Sequence, residues 1–244
     1  MKAIETADLT KRFGDKTAVD RLNLTIEDGE LFALLGVNGA GKSTTIRMLS
    51  CLSAPSGGDA FLLGDSVVTS AAAVKAKINV SPQETAVARK LTVRENLELI
   101  AELYGCSREE AKVRAEEMLD SLSLKEAAKS RARTLSGGMQ RRLSIAMALI
   151  TRPRILFLDE PTLGLDVLAR RELWRLIEGL KGKMTILLTT HYMEEAEALS
   201  DRIGVMAAGR LKAAGTAREL MELTGCRTLE DAFIELAAGK EAAV

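Results

Sequence analysis

One short segment of the chain, Gly36–Ser43, has the residue types and the spacing that bind a phosphate. It matches the pattern G-x-x-x-x-G-K-[ST]. Glycines let the backbone wrap a phosphate closely, with successive N–H groups turned inward. Lys42 supplies a positive charge for the β- and γ-phosphates, and the hydroxyl of Ser43 is placed to ligate Mg²⁺. A helix expected from about Lys42 to Leu52 adds the positive end of its dipole to this phosphate site.

Two adjacent carboxylates, Asp159 and Glu160, follow the apolar run Ile155–Leu158. Carboxylates at the end of a buried strand are costly unless a cation or proton chemistry uses them. Because side chains alternate along an extended chain, the two acids point in different directions. We therefore expect Asp159 to face Mg²⁺ and Glu160 to face an attacking water.

A second glycine-rich helix start and the only histidine are further candidates. Ser136-Gly137-Gly138 precedes an amphipathic helix that runs to about Ile150. Ser136 can cap this helix and the glycines leave its first N–H groups open, so the segment could bind an anion or serve only as a cap.

His191 follows the predicted strand Thr185–Thr190. Its place at the end of a strand, where open α/β sheets bind ligands, favours a functional over an incidental histidine.

The elements that must position these residues are strands that alternate with helices. A continuous apolar run at Leu31–Leu35 is typical of a buried central strand, and two further runs, Ile155–Leu158 and Met184–Leu188, predict buried strands as well. Such strands alternating with helices indicate an α/β fold, with a parallel sheet covered on both faces. Alternating patterns at Ala3–Thr6 and Leu22–Ile26 predict further strands near the N-terminus.

Residues 85–150 lack a strand pattern and predict a helical insert between two strands of the sheet. Thr92 and Ser107 each begin a capping box that opens an amphipathic helix. Two short capped helices are expected to start near Thr216 and Thr228. The predicted organisation is a single domain over residues 1–244, with a nucleotide-binding core of 1–84 and 151–244, a helical subdomain of 85–150, and short C-terminal helices within 216–244.

Composition narrows the class of protein. The chain has 34 basic and 34 acidic side chains, so it lacks the basic excess of a general nucleic-acid binder. No apolar run approaches the ~20 residues that span a bilayer, and the N-terminus lacks the apolar stretch of a signal peptide. Three separated cysteines and a single histidine do not make a His/Cys metal cluster. We therefore expect a cytoplasmic protein with reduced thiols.

These elements, in this order, resemble the ATP-binding cassette (ABC) ATPases, the motor subunits of ABC transporters. The resemblance extends from Phe13 to about Glu235. Its most specific part is Leu135–Gln140, which is similar to the family's signature loop between a Walker A and a Walker B motif. The other matching segments are Pro82-Gln83 for the Q-loop, Leu163–Asp166 for the D-loop and His191 for the switch histidine. The family fold is that of a P-loop NTPase, with a mixed sheet core, an antiparallel N-terminal β part and an inserted helical subdomain.

The resemblance also implies a role for each matched residue. Gln83 would contact Mg²⁺ and the attacking water, Glu160 would be the general base, His191 would contact the γ-phosphate, and Lys42 would complete the catalytic set. Mg²⁺ would be held by Ser43, Gln83 and Asp159. The residues expected to bind ATP, with Phe13 against the adenine, are Phe13, Gly36, Asn38, Gly39, Ala40, Gly41, Lys42, Ser43, Thr44, Ser136, Gly137 and Gly138.

The resemblance further implies a head-to-tail homodimer, or a pair of related ABC subunits. One chain's signature loop would close on the ATP held by the other chain's phosphate loop. Segments Arg170–Trp174, Leu91–Leu97 and Thr228–Phe233 are similar to the branch that serves drug, sodium, lipid or polysaccharide exporters. The family then predicts an ATPase on the inner face of the cell membrane that drives a separate permease. Phe13 in place of the commoner Tyr, and Leu163 in place of a polar residue, depart from the family pattern.

Two other functions are compatible with some of these motifs. A soluble ABC protein acting on DNA or ribosomes is disfavoured, because about 90 residues without sustained heptads separate the two phosphate motifs and the chain has one cassette. A subunit that binds nucleotide without hydrolysing it is disfavoured because Lys42, Asp159, Glu160 and His191 are all present. The transported substrate and the permease are not encoded in this sequence, and the direction of transport rests on the branch alone.

Overall fold

The computed structural model of the chain describes residues 1–239, so the predicted C-terminal segment 216–244 is described up to residue 239 and its last five residues lie outside. Its strands are β1 (Lys2–Phe13), β2 (Lys16–Leu22), β3 (Thr25–Glu27), β4 (Leu31–Leu35), β5 (Gly57–Leu62), β6 (Asp65–Ser66), β7 (Ile78–Ser81), β8 (Ile155–Asp159), β9 (Thr185–Thr190), β10 (Arg202–Ala207) and β11 (Arg210–Gly215). Its α-helices are α1 (Lys42–Leu49), α2 (Ala71–Lys75), α3 (Val93–Leu103), α4 (Arg108–Ser121), α5 (Gly137–Leu149), α6 (Val167–Glu178), α7 (Met193–Leu199), α8 (Ala217–Thr224) and α9 (Leu229–Ala237).

The central sheet has the strand order β11-β10-β4-β9-β8-β7. Strands β10, β4, β9, β8 and β7 run parallel, and β11 joins the edge as the second strand of an antiparallel hairpin. Every residue of β4, β8 and β9 is buried, as expected for strands that are covered on both faces. The three runs that predict buried strands are therefore the central strands, which confirms the predicted α/β class.

Alternate residues of the central strands belong to two different apolar clusters. Leu31, Ala33 and Leu35 of β4 pack on the face that carries the helical insert, whereas Phe32 and Leu34 pack on the face that carries the second sheet and α1. This alternation is the period of two of an extended chain. The two clusters are the core that fixes the phosphate loop relative to the other strand ends.

The second sheet is antiparallel, with the order β2-β1-β5-β6 and β3 paired to the other half of β1. The predicted strand Leu22–Ile26 is wrong as one element, because β2 ends at Leu22 and β3 begins at Thr25. The break occurs where Asp8 of β1 has a φ of 47° and its backbone N–H donates to the side chain of Asn23 at 2.8 Å. That irregularity replaces the ladder hydrogen bonds that a continuous strand would make.

The region of residues 85–150 is helical, as predicted, and contains α3, α4 and α5. Thr92 and Glu95 make a complete capping box. The second predicted capping box is wrong in one half: Ser107 accepts a hydrogen bond from the N–H of Glu110 at 3.2 Å. The carboxylate of Glu110 instead pairs with Arg114 at 2.6 Å. The subdomain boundaries at residues 85 and 150 stay a prediction.

The remaining helices differ little from their predictions. Helix α1 ends at Leu49 rather than near Leu52, because Cys51 has a φ of 55° and the N–H of Leu52 returns to the carbonyl of Arg47 at 2.9 Å. Thr216 and Thr228 cap α8 and α9 as expected. No helix within residues 1–239 is long and apolar enough to cross a membrane.

Candidate functional site

The loop between β4 and α1 has the glycine geometry that phosphate binding requires. Gly39 and Gly41 have φ values of 83° and 109°, which side-chain-bearing residues rarely adopt. A Cβ atom on Gly41 would lie 2.5 Å from the carbonyl oxygen of Ala18, and one on Gly36 would lie 2.4 Å from that of Met206. Both contacts are with backbone, so the loop accepts only glycine at these positions.

The ammonium group of Lys42 is held at the centre of this loop. Its Nζ atom donates to the carbonyl oxygens of Gly36 at 2.7 Å and of Val37 at 3.3 Å. It also lies 3.0 Å from Oε1 of Glu160 in an ion pair whose side chains are 5% and 6% exposed. A positive charge is therefore fixed where the backbone N–H groups of the loop converge.

Glu160 follows β8 in a strained backbone conformation, with a φ of 48°. Its N–H donates to the Oγ1 atom of Thr189 and to the Thr189 carbonyl oxygen, both at 3.1 Å. Its second carboxylate oxygen, Oε2, lies 2.7 Å from Nδ1 of His191. The left-handed φ costs on the order of 1–3 kcal/mol, and it turns the carboxylate toward both Lys42 and His191.

Asp159 faces Ser43, the residue that the sequence predicts to bind Mg²⁺ together with it. Its Oδ1 atom accepts hydrogen bonds from the hydroxyls of Ser43 at 3.0 Å and of Thr189 at 2.6 Å. Hydroxyl and carboxylate oxygens are the ligands that Mg²⁺ prefers, and Mg²⁺ is usually held by few protein groups together with substrate phosphates. The described residues contain no cluster of three or more His, Cys, Asp and Glu side chains that could hold a metal. The hydroxyl of Ser43 and the carboxylate of Asp159 are oxygen ligands of the kind that Mg²⁺ takes.

A cavity of about 500 Å³ opens beside these residues. Its size lies in the range of small-ligand sites. Phe13 stands at its rim, 56% exposed, with the ammonium of Lys11 5.1 Å from the ring centre. The lining residues are Phe13, Lys16, Ala18, Asn38, Gly39, Ala40, Gly41, Lys42, Ser43, Thr44, Gln83, Glu160, Leu163 and His191.

Gln83 is an exposed residue of this lining, and its backbone is attached to α5. The guanidinium of Arg141, itself 5% exposed, donates to the carbonyl oxygens of Pro82 at 2.7 Å and of Gln83 at 2.5 Å. One turn later, the hydroxyls of Ser144 and Ser81 lie 2.9 Å apart. Burial lowers the pKa of Arg141. The Gln83 segment is therefore joined to α5 by hydrogen bonds of two α5 side chains, Arg141 and Ser144.

The glycine-rich start of α5 does not line the cavity of its own chain. Ser136 caps the helix by accepting from the N–H of Met139 at 3.3 Å. Side chains added at Gly137 and Gly138 would face Leu165 and Ala169 at 3.9 and 3.1 Å, so these glycines lie against the start of α6. Ser136, Gly137 and Gly138 are the predicted ATP-binding residues that this chain alone does not bring to the phosphate loop.

Several residues that hold the site together were not anticipated. Thr189 positions both acids, and nothing in the sequence distinguishes it from the other two threonines of β9, Thr185 and Thr190. Lys16 lies at the cavity because β2 passes the phosphate loop. Arg141 had no signal at all, because its partners are backbone carbonyls 58 and 59 residues away in the chain.

The chain is similar to known ATP-binding cassette proteins. A family model described as ABC transporter matches residues 19–163. The daunorubicin resistance ATP-binding protein DrrA3 of Streptomyces coeruleorubidus is 45% identical over 91% of this chain and 71% of its own length. The Nod factor export ATP-binding protein I of Rhizobium etli is 42% identical over 94% of this chain and 73% of its own length. A solved dimeric ATP-binding cassette in a post-hydrolysis state, bound to ADP and Pi, superposes with a TM-score of 0.79 at 28% identity, covering 87% of this chain and 98% of that one.

Proposed function

The chain belongs to the ABC transporter family, and we propose that it hydrolyses ATP at the cavity beside Gly36–Ser43 to drive an exporter. As a member of this family it is an ATP-binding subunit that acts as an ATPase. Its relatives include subunits named for drug resistance and for Nod factor export, which favours a transport function over a DNA- or ribosome-linked one.

The phosphate loop binds the phosphates of ATP, and Phe13 binds its adenine base. The backbone N–H groups of Asn38 to Thr44 surround the phosphates at the start of α1, where the helix dipole favours negative charge. Lys42 turns from Glu160 toward the β- and γ-phosphates. The exposed ring of Phe13 offers a stacking surface at the rim of the cavity, and the adenine base lies against it.

Magnesium, held by Ser43, Asp159 and the side chain of Gln83, would neutralise charge on the phosphates. Glu160 accepts the proton of the attacking water as the general base. His191 orients the Glu160 carboxylate through the 2.7 Å contact with its Nδ1 atom and contacts the γ-phosphate. Gln83 contacts the same water and reports the presence of the γ-phosphate to α5 through Arg141.

The start of α5 completes the site of a second subunit. Its open N–H groups at Ser136, Gly137 and Gly138 lie away from the cavity of their own chain, and an anion from another chain can approach them. Two chains arranged head to tail would then enclose two ATP molecules. The dimeric relative bound to ADP and Pi supports this assembly.

A membrane permease is the second partner that we propose. It docks in the groove between Gln83 and the helices of residues 85–150, which places the subunit on the inner face of the cell membrane. The attachment of Gln83 to α5 supports this location, because a partner resting there would sense the same movement as the signature segment. No nucleic-acid partner is proposed for a chain of zero net charge.

One observation carries this function: Glu160 is fixed between Lys42 and His191 at the mouth of the phosphate loop. The test is phosphate release from ATP by the purified chain, compared with Lys42→Ala and the exposed control Lys112→Ala. We expect no turnover from Lys42→Ala and wild-type turnover from the control. Equal turnover of all three proteins would refute the assignment of this cavity as the ATPase site.

A further inference from the structure

A carboxylate that has no part in the proposed chemistry lies directly behind the site. Glu195 of α7 follows His191 by one helical turn and is 0% exposed, the least of any charged side chain within residues 1–239. Burying a carboxylate is costly unless it is hydrogen-bonded or neutral. Its presence therefore requires an explanation beyond the filling of space.

The carboxylate of Glu195 joins two segments of the site. Its Oε1 atom accepts a hydrogen bond from the indole N–H of Trp174 at 3.0 Å. Trp174 is on α6, the helix that begins directly after Leu163–Asp166. On the other side of the carboxylate are the hydroxyls of Thr162 and Thr190. Thr162 lies two residues after Glu160, and Thr190 lies one residue before His191.

The second carboxylate oxygen of Glu195 faces a threonine hydroxyl that also needs a partner. Oε2 of Glu195 and the hydroxyl of Thr162 are both buried and, among the described residues, neither makes a hydrogen bond of normal geometry. Burial raises the pKa of Glu195, and the hydroxyls of Thr190 and Thr162 and the indole of Trp174 offset this only in part. The carboxyl group of Glu195 has two oxygens, so one can accept from the indole N–H while the other bonds to a threonine hydroxyl. It can therefore serve Trp174 and a threonine together.

A second set of contacts joins the same two segments at the surface. The guanidinium of Arg170, on α6, lies 5.8 Å from the ring centre of Trp174 and 5.6 Å from that of Tyr192. The rings of Tyr192 and His191 are themselves 4.1 Å apart. Helix α6 and the residues around His191 are thus held together both in the core and at the surface.

We propose that Glu195 is a positioning residue for ATP hydrolysis: by bonding Trp174 and facing Thr162 and Thr190, it fixes His191 relative to the segment that follows Glu160. This rests on the proposed function, because it assumes that His191 and Glu160 act on ATP. The bridge also links Leu163–Asp166, where a second subunit would meet this chain, to the histidine at the γ-phosphate.

The experiment compares Glu195→Gln with Glu195→Met in the purified full chain, with Glu197→Met as a control on the exposed face of the same helix. Gln keeps an acceptor and a donor, whereas Met keeps the length and loses both. We expect Gln to retain kcat within about 3-fold. We expect Met to lower kcat about 10- to 100-fold, the effect of misplacing a catalytic group, with KM for ATP unchanged within about 2-fold because the phosphate loop is intact.

Trp174 is the only tryptophan of the chain, so its fluorescence reports on this bridge without a label. We expect the emission of the Met variant to differ from that of the wild type and of the Gln variant. Equal kcat and equal emission for Met and Gln would overturn the proposal, since a purely space-filling role makes them equivalent. If the Met variant does not fold, Trp174→Phe decides: it keeps an aromatic ring but removes the N–H donor together with the five-membered ring, and an unchanged kcat refutes the bridge. Wild-type protein without turnover would instead refute the proposed function.

Discussion

Replacing Glu160 by glutamine separates binding of ATP from its hydrolysis. The amide has the shape of the carboxylate and keeps a hydrogen-bonding group near Lys42 and His191, but it cannot accept a proton from water. We expect ATP to bind and turnover to fall about 10²- to 10⁴-fold, the range for loss of a general base.

The structure also predicts a change in stability for this variant. Removing one partner of a buried ion pair costs about 3–5 kcal/mol, and the Lys42–Glu160 pair is nearly fully buried. Lys42 retains the carbonyl oxygens of Gly36 and Val37, so we expect the loss to fall at or below the lower end of that range. Phosphates supply the missing negative charge. ATP with Mg²⁺ should therefore raise the melting temperature of Glu160→Gln more than that of the wild type.

Three measurements test this reasoning: phosphate release, ATP binding at equilibrium, and the melting temperature with and without ATP and Mg²⁺. Glu178→Gln, an exposed substitution at the end of α6, controls for the loss of one negative charge. Lys42→Ala controls for contaminating ATPase. Turnover of Glu160→Gln within about 3-fold of the wild type would refute the general-base role. If ATP and Mg²⁺ raised the melting temperature of Glu160→Gln and of the wild type equally, this would refute the idea that Glu160 and phosphate compete for Lys42.

Three further predictions concern the binding of adenine, the groove beside Gln83 and the ATP site shared by two chains. Phe13→Ala should weaken ATP binding by about 1–3 kcal/mol, as for other base–aromatic contacts, while leaving the affinity for inorganic triphosphate unchanged; equal losses for both would make Phe13 a structural residue. Hydrogen exchange across residues 81–105 should change on addition of ATP, and uniform exchange would contradict the role of Gln83. Ser136→Arg and Lys42→Ala should each be inactive alone, but mixing them should restore up to one working site per heterodimer. Abundant crosslinked mixed dimers that never occlude ATP would exclude a shared site.

The phosphate loop could be predicted from sequence because its constraint requires glycines at a fixed spacing. The backbone of Met206 near Gly36 and that of Ala18 near Gly41 leave no room for a Cβ atom. Glycine is therefore required at both positions, and the sequence shows it directly. The same holds for β4 and for Ile155–Leu158 of β8, where burial on both faces favours continuous apolar residues.

The residues that sequence reasoning missed depend on partners far along the chain. Arg141 bonds backbone carbonyls, which carry no residue identity. In the sequence, Glu195 is one of several acidic residues at the start of a predicted helix, where an exposed side chain is expected. Its burial follows from the packing of α6 against α7. The break between β2 and β3 follows from a bulge in β1 at Asp8, which alternation within one segment cannot show.

The contacts of Glu160 bear on when hydrolysis can occur. A general base needs a free oxygen within reach of the attacking water. Here one carboxylate oxygen lies 3.0 Å from Lys42 and the other 2.7 Å from His191, so the base is occupied by a cation until something replaces it. A γ-phosphate offers Lys42 a stronger partner than a single carboxylate, because it carries more charge. We therefore expect ATP binding to free Glu160 from Lys42, so that Glu160 can act as a base only when a triphosphate is bound.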